Sequence, residues 1–109
     1  MAGLRTTGAA RLDLRSIEFE GSETFGVARS ATYVDGLLRA LRLLADFPRM
    51  ARLRDDVEPP VRVHRYGAHV IVYVEESDGV LILRIRHGRE DWQTNPAGGK
   101  SLDDLGDEP

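Results

Sequence analysis

The side chains best suited to chemistry in this sequence lie close together near its C-terminal end. Arg84, Arg86, His87 and Arg89 are followed closely by Trp92. A guanidinium group can bind a carboxylate or phosphate through two hydrogen bonds, and a histidine can transfer a proton near neutral pH. Cleavage of RNA would use such groups to stabilise developing negative charge and to move a proton. Binding of an acidic protein surface would use the same cations, so this segment is the candidate site.

The rest of the composition limits that chemistry. The chain has 109 residues, no cysteine, three histidines, and 15 basic against 18 acidic residues, for a net charge of -3. These counts exclude disulfides and thiolate nucleophiles, and the scattered histidines predict neither a metal site nor another cofactor. The negative balance argues against direct DNA binding through general positive charge. Lys100 is the only lysine, and no tyrosine follows Tyr73.

The ends of the chain bear on its location and domain organisation. No apolar run approaches the roughly 18 to 20 residues of a membrane span, and the first ten residues lack the apolar region of a signal peptide. We therefore expect a cytoplasmic protein without a membrane partner. Residues 94–109 are rich in glycine and acidic residues, which predicts a disordered acidic tail after a single folded domain at residues 3–93.

The N-terminal half has the 3.6-residue period of α-helices. Residues 4–6 are a candidate strand, and the Thr7 side chain can cap a helix that we expect to end at about Phe19. Glycines then separate it from a second helix starting near Val27. That helix ends before Pro48, because the residue before a proline disfavours helix. It carries the strongest apolar stripe in the sequence, formed by Val34, Leu37, Leu38, Leu41, Leu44 and Ala45.

The C-terminal half has the two-residue period of β-strands. The pattern predicts strands over residues 61–66, 69–75 and 80–87, the last two joined by a turn at Asp78 and Gly79. Residues 49–60 are predicted to be a connecting loop. The element order predicts an α+β domain, in which a short strand and a helical hairpin pack on one face of a mainly antiparallel sheet of three to four strands. The other face is also apolar, so we expect a partner to cover it.

Simple alternation along the last strand assigns its side chains to two faces. Leu83 and Ile85 would share a face with His87, at the helix side or its rim. Arg84 and Arg86 would lie together on the opposite, exposed face, where each contributes about 0–1 kcal/mol to stability. Trp92 lies beyond the strand and is either an apolar plug or an exposed anchor for a partner.

Several short motifs occur in the order and spacing of a known family. The most specific is in the last strand and the following turn, where Arg84, His87 and Asp91 match. Weaker matches are Asp13 and Leu14 in the first helix, and a group in the sheet formed by Arg62, Tyr66, Gly67, His69 and Tyr73. Together these motifs resemble the RelE/ParE superfamily of bacterial type II toxins, and specifically its ParE branch.

The resemblance implies a function as well as a fold. It implies a toxin that is not an enzyme, that binds DNA gyrase and blocks its cycle, and that does not itself bind DNA. A ParD-type antitoxin would hold the toxin inactive in a hetero-oligomer, by folding a disordered segment onto it as helix and strand. Two alternatives stay open: a RelE-like ribosome-dependent mRNA endonuclease, and a noncatalytic protein-binding domain.

The residues and the resemblance together give three groups of candidates. Those for binding the target are Arg84, Arg86, His87, Arg89 and Trp92. Those for binding the antitoxin are Val34, Leu37, Leu38, Leu41, Val72 and Arg84. Those with a structural role are Asp91, Arg62 and Tyr73.

Overall fold

A helical hairpin covers one face of a five-stranded sheet. The computed structural model describes residues 3–90 and 92–93 of the chain. The helices are α1 (Gly8–Phe25) and α2 (Val27–Asp46). The strands are β1 (Gly3–Thr6), β2 (Leu53–Arg54), β3 (Val61–Tyr66), β4 (His69–Glu76) and β5 (Gly79–His87). Their order in the sheet is β1-β5-β4-β3-β2, with β1 parallel to β5 and all other pairs antiparallel, which confirms the predicted α+β class.

Helix α1 extends beyond its predicted end. It continues through Gly21 to Phe25, so the prediction that it ends near Phe19 was wrong. Gly21 lies where the two helices approach each other, because a Cβ atom there would be only 2.7 Å from the Ser30 hydroxyl oxygen. The helix ends at Gly26, whose φ of +92° favours glycine. A glycine inside α1 therefore serves close packing, and only Gly26 separates the helices.

The segment predicted as a loop after α2 contains two ordered elements. A 3-10 turn spans Pro48–Met50, and β2 then pairs with β3 to form the fifth strand. A strand of two residues is too short to show a period, so no sequence pattern predicted it. Two residues predicted to be structural join this segment to the sheet. Arg62 donates to the Ala51 carbonyl oxygen at 2.7 Å, and Tyr73 donates to the Pro48 carbonyl oxygen at 2.7 Å.

Strand β5 contains a β-bulge at Leu83. Tyr73 of β4 pairs with Ile82, and the preceding residue of β4 pairs with Arg84, so Leu83 has no partner. The extra residue reverses the alternation of side chains beyond it. Ile82 and Ile85 consequently lie together in the helix-side core, while Leu83 packs on the other side of the sheet. The prediction that Leu83 and Ile85 share a face was wrong.

Side chains from the N-terminal segment satisfy the backbone groups of the bulge. The Thr7 hydroxyl caps α1 by accepting from the Ala10 amide at 3.0 Å, and it also donates to the Leu83 carbonyl oxygen at 2.7 Å. The Asp13 carboxylate accepts the Ile85 amide at 2.9 Å. Buried backbone groups without hydrogen-bond partners would destabilise the fold. The side chains of Thr7 and Asp13 supply these partners and so stabilise the bulge.

Two apolar clusters form, one on each face of the sheet. The larger lies under the helices and includes Leu37, Leu41, Leu44, Ile71, Tyr73 and Ile82. The smaller lies on the opposite face and consists of Val57, Val61, Val70, Val72 and Trp92, with partly buried neighbours. Leu37, Leu41 and Val72 are fully buried, so the prediction that they contact an antitoxin is corrected: in the folded chain they are core residues. Within residues 3–90, neither helix is both long and apolar enough to cross a membrane.

Candidate interaction surfaces

Arg84 forms a mostly buried ion pair with Asp13 of α1. Its Nε atom lies 2.7 Å from Oδ2 and its Nη2 atom 2.9 Å from Oδ1, and the two side chains are only 18% and 15% exposed. The hydrogen bonds that Arg84 donates to the Asp13 carboxylate raise the pKa of Arg84 above its usual value. The guanidinium group therefore joins β5 to α1 and has little surface left for a partner.

Arg86 is also paired with a carboxylate. Its Nη2 atom lies 3.1 Å from Oε2 of Glu90, whose Oε1 atom accepts the His87 amide at 2.7 Å. Burial alone would raise the pKa of Glu90, but the His87 amide and Arg86 outweigh it and lower the pKa. The prediction of two exposed guanidinium groups on one sheet face was wrong. Asp91, predicted to be structural, lies outside the described residues, and Glu90 is the carboxylate that pairs with Arg86 in this turn.

The C-terminal corner, formed by the end of β5 and the following turn (residues 84–90), exposes His87, Arg89 and Glu90, of which Glu90 is already paired with Arg86. The His87 Nδ1 atom accepts the Arg89 amide at 3.1 Å, which leaves Nε2 as the ring nitrogen free to contact a partner. The Arg89 side chain is exposed and forms no ion pair within residues 3–90 and 92–93. Of the predicted target-binding cations, Arg89 is thus the one that a partner can reach without breaking an internal bond.

Trp92 covers part of the second sheet face. It is buried among the valines of the smaller cluster, and the Arg54 guanidinium lies 5.5 Å from its ring centroid, within range of a cation–π contact. Arg54 also bonds Asp56 and lowers the pKa of that carboxyl to about 2. Of the two alternatives predicted for Trp92, the structure favours the apolar plug, and the chain itself supplies part of the expected cover.

A cavity of about 560 Å³ opens between the helical hairpin and the ends of β4 and β5. Its lining includes Ile17, Glu20, Arg29, Tyr33, His69 and His87. The Tyr33 hydroxyl lies 3.1 Å from the Tyr66 carbonyl oxygen, 3.2 Å from the Ala68 amide and 2.7 Å from Nδ1 of His69. Because the phenol has a single proton, all three contacts are satisfied when Tyr33 donates to Tyr66 and His69 donates to Tyr33. This assignment leaves the His69 Nε2 atom unprotonated.

The two imidazole rings face each other at the rim of this cavity. The centroids of His69 and His87 are 5.5 Å apart, in an edge-to-face arrangement. Burial and then the proximity of His87 lower the pKa of His69 from its usual 6.5, against weaker opposing effects of Glu90, Glu20 and Asp13. The pair can therefore supply an unprotonated nitrogen and a ring N–H donor to a bound group at neutral pH.

His69 should make the fold less stable as the pH falls. Its pKa is lower in the folded than in the unfolded chain, so the unfolded chain binds more protons and stability rises with pH. The loss begins near the unfolded value of 6.5 and continues down to the lower folded value. Thermal midpoints measured from about pH 7 to pH 5 should fall less steeply for His69→Gln than for the parent. His64→Gln, on the adjacent β3, is the matched control, and an unchanged slope for His69→Gln would contradict this expectation.

Comparison with known proteins decides the family. The family described as the ParE toxin of type II toxin-antitoxin systems, parDE, matches residues 4–92. The chain belongs to the ParE toxin family. A solved structure described as the chromosomal ParDE TA system from P. aeruginosa matches this ParE chain with a TM-score of 0.68 and 20% identity, over 80% of this chain and 96% of that chain. At that identity the structural match supports the shared fold. No curated protein matches the chain.

Three residues that organise these surfaces of the ParE chain were given no such role from the sequence: Asp13, Tyr33 and Glu90. Asp13 had a detectable signal, because it lies three residues after Ala10 on the buried side of α1, where a carboxylate requires a partner. Glu90 lies in a turn without periodicity, and Tyr33 acts through backbone groups of the β3–β4 turn. Neither position could be inferred from residue spacing.

Proposed function

We propose that this ParE-family chain is a toxin that binds DNA gyrase in the cytoplasm and blocks its cycle. We propose further that a ParD-type antitoxin neutralises it in a hetero-oligomer. The observation that carries the proposal is the family match over residues 4–92, which spans the whole described domain except Gly3 and Gln93. The C-terminal corner, with exposed His87 and Arg89, is the proposed contact for gyrase.

The charges of the corner support binding rather than catalysis. Arg84 is neutralised by Asp13, and Arg86 by Glu90. Stabilisation of the negative charge that develops during phosphodiester cleavage requires cations directed at the reacting group. Two of the three arginines are instead directed at internal carboxylates. The corner is therefore better suited to contact a folded protein than to cleave RNA.

The end of α2 and the neighbouring sheet edge form the proposed antitoxin surface. Four large apolar side chains are exposed there: Leu43, Phe47, Met50 and Leu53. Leu53 lies on β2, an edge strand that has one neighbour, so an added strand could pair with its free side. Apolar side chains beside an open edge suit a segment that binds as helix and strand. Leu38 and Val34, which are not fully buried, remain proposed contacts on α2.

Arg89→Ala tests the proposed gyrase contact. The purified parent chain should inhibit supercoiling of relaxed plasmid by gyrase, and Arg89→Ala should require about tenfold more protein for the same inhibition, because arginines are frequent hot spots of interfaces. The variant should keep the parent's thermal midpoint, since the side chain is exposed. Arg39→Ala, also an exposed arginine but on α2, is the matched control.

Two results of that assay would contradict the proposal at different levels. A parent chain that leaves gyrase unaffected would overturn gyrase as the target. Inhibition by Arg89→Ala equal to that of the parent would retain the target but remove this corner as the contact surface.

RNA cleavage is the second candidate function, and one observation favours it. His69 and His87 face each other across a cavity rim, and paired imidazoles can act as general base and general acid. Incubation of the same sample with ribosomes and mRNA tests this function. Cleavage by the parent that His87→Ala abolishes would favour the nuclease, whereas intact RNA together with inhibited supercoiling would favour the gyrase binder.

A further inference from the structure

The outer face of α1 exposes large apolar side chains that the fold does not use. Phe19 is 68% exposed and Leu12, two turns earlier on the same side, is 51% exposed. The opposite side of the helix, with Ala10, Leu14 and Ile17, packs on the sheet and α2. Neither exposed side chain belongs to the two apolar clusters. Such a pair on one helix face suits a contact with another macromolecule.

Two residues of opposite charge lie at equal distances before and after Phe19 on α1. Arg15 lies four residues before Phe19 and Glu23 four residues after it, so all three lie in one row along the helix surface. Within residues 3–90 and 92–93, neither Arg15 nor Glu23 forms an ion pair. At 1.5 Å per residue, the Cα atoms of Arg15 and Glu23 each lie about 6 Å from that of Phe19 along the helix axis.

This charge order does not stabilise α1 itself. Its basic residues, Arg11 and Arg15, lie in the N-terminal half, and its acidic residues after Asp13 lie in the C-terminal half; the first turn has no acidic residue and the last turn no basic residue. The helix macrodipole favours the opposite arrangement. A role outside the helix accounts for this order better than helix stability does.

We propose that α1 is the contact between two copies of this chain, packed antiparallel around a two-fold axis at Phe19. The axis brings Phe19 against its equivalent in the second copy. It also places Arg15 of each copy beside Glu23 of the other, forming two identical ion pairs. A parallel arrangement would instead bring like charges together. The partner helix must present an acidic residue opposite Arg15 and a basic residue opposite Glu23. A second copy of α1 that runs antiparallel does so without any further assumption.

The helix geometry and the size of the face define the kind of dimer expected. Rows of residues spaced by four pack alongside each other when two helices cross at about −50°, a common arrangement in globular proteins. One helix pair buries less than a standard interface of roughly 1,600 Å², so the dimer should be weak and concentration-dependent. The proposed dimer contact uses none of the residues of the proposed gyrase and antitoxin contacts, so this proposal does not rest on the proposed function.

Sedimentation equilibrium of the purified full chain tests the dimer. The mass should rise from the 12.1 kDa of the monomer toward twice that value as concentration increases through the micromolar range. Phe19→Asp should remain monomeric throughout. Phe47→Asp, which replaces an exposed phenylalanine at the end of α2, is the matched control and should dimerise like the parent. Circular dichroism checks that both variants are folded.

A charge exchange tests the two-fold axis itself. Arg15→Glu or Glu23→Arg alone should raise the dimer dissociation constant about tenfold, because each change places two like-charge pairs across the interface. The double variant Arg15→Glu/Glu23→Arg re-forms both ion pairs and should return within about threefold of the parent.

Four results would overturn the proposal. They are a parent that stays monomeric at all concentrations, a dimer that persists in Phe19→Asp, single charge variants that dimerise like the parent, and a double variant no better than the single ones. A monomeric parent whose antitoxin affinity falls in Phe19→Asp would assign the face to the antitoxin instead.

Discussion

Leu37→Asp should unfold the domain. Leu37 is fully buried in the helix-side core, so the substitution places an unpaired carboxylate among apolar side chains and removes the leucine's packing. The combined cost of about 5 kcal/mol or more is comparable with the whole stability of a small domain. The variant should show no cooperative thermal transition by circular dichroism and should not bind antitoxin.

The adjacent residue provides the matched control for this experiment. Leu38 is 46% exposed on α2, so Leu38→Asp should keep a cooperative transition near the parent's midpoint. It should nevertheless weaken the antitoxin complex, because it introduces a charge into the proposed contact. A folded Leu37→Asp variant that loses only antitoxin binding would contradict the burial of Leu37 and return it to the interface, as the sequence stripe predicted.

Asp13→Ala should destabilise the fold by about 3 kcal/mol. The substitution leaves the mostly buried Arg84 guanidinium without its partner and the Ile85 amide without its acceptor. For a domain of this size the thermal midpoint should fall by roughly 10–20 °C. Removing both charges, in Asp13→Ala/Arg84→Leu, should cost less than the sum of the single changes, because no buried charge then remains unpaired.

An exposed ion pair shows whether burial is responsible for that effect. Arg5 of β1 and Glu76 at the end of β4 lie 2.8 Å apart, and the Arg5 side chain is 68% exposed. Arg5→Ala should therefore cost less than about 1 kcal/mol. Equal midpoints for Asp13→Ala and Arg5→Ala would show that the Asp13 contacts add nothing beyond a surface pair.

The regular elements were predictable because each carries a local signal. The apolar stripe of α2, the Thr7 cap and the Asp78-Gly79 turn signal all depend on residues close together in the chain, although the turn itself lies at Ser77 and Asp78 and Gly79 begins β5. The bulge at Leu83 depends instead on the side chains of Thr7, which caps α1, and of Asp13, which lies in α1. Both are more than 70 residues away in the chain, so no local pattern predicts the bulge. The two-residue β2 was missed for a related reason, since its existence depends on pairing with β3.

The candidate site was predictable in composition but not in arrangement. The sequence located the cations near the end of β5, and it left open whether Trp92 is a plug or an anchor. Two-residue alternation then placed Arg84 and Arg86 on one exposed face, because it assumes a regular strand. Their carboxylate partners, Asp13 and Glu90, lie on α1 and in a turn, where the period of β5 carries no information.

The dependence of the bulge on Thr7 and Asp13 has a consequence for the order of events during synthesis. These residues are translated first, yet the groups they bind on β5 follow 71 to 76 residues later. At 5–20 residues per second, that interval is roughly 4 to 15 s. During this interval β5 is not yet available to cover the apolar side of α1, and the Arg84 guanidinium is not yet available to neutralise Asp13. The nascent chain therefore becomes native only when translation of the domain is almost complete.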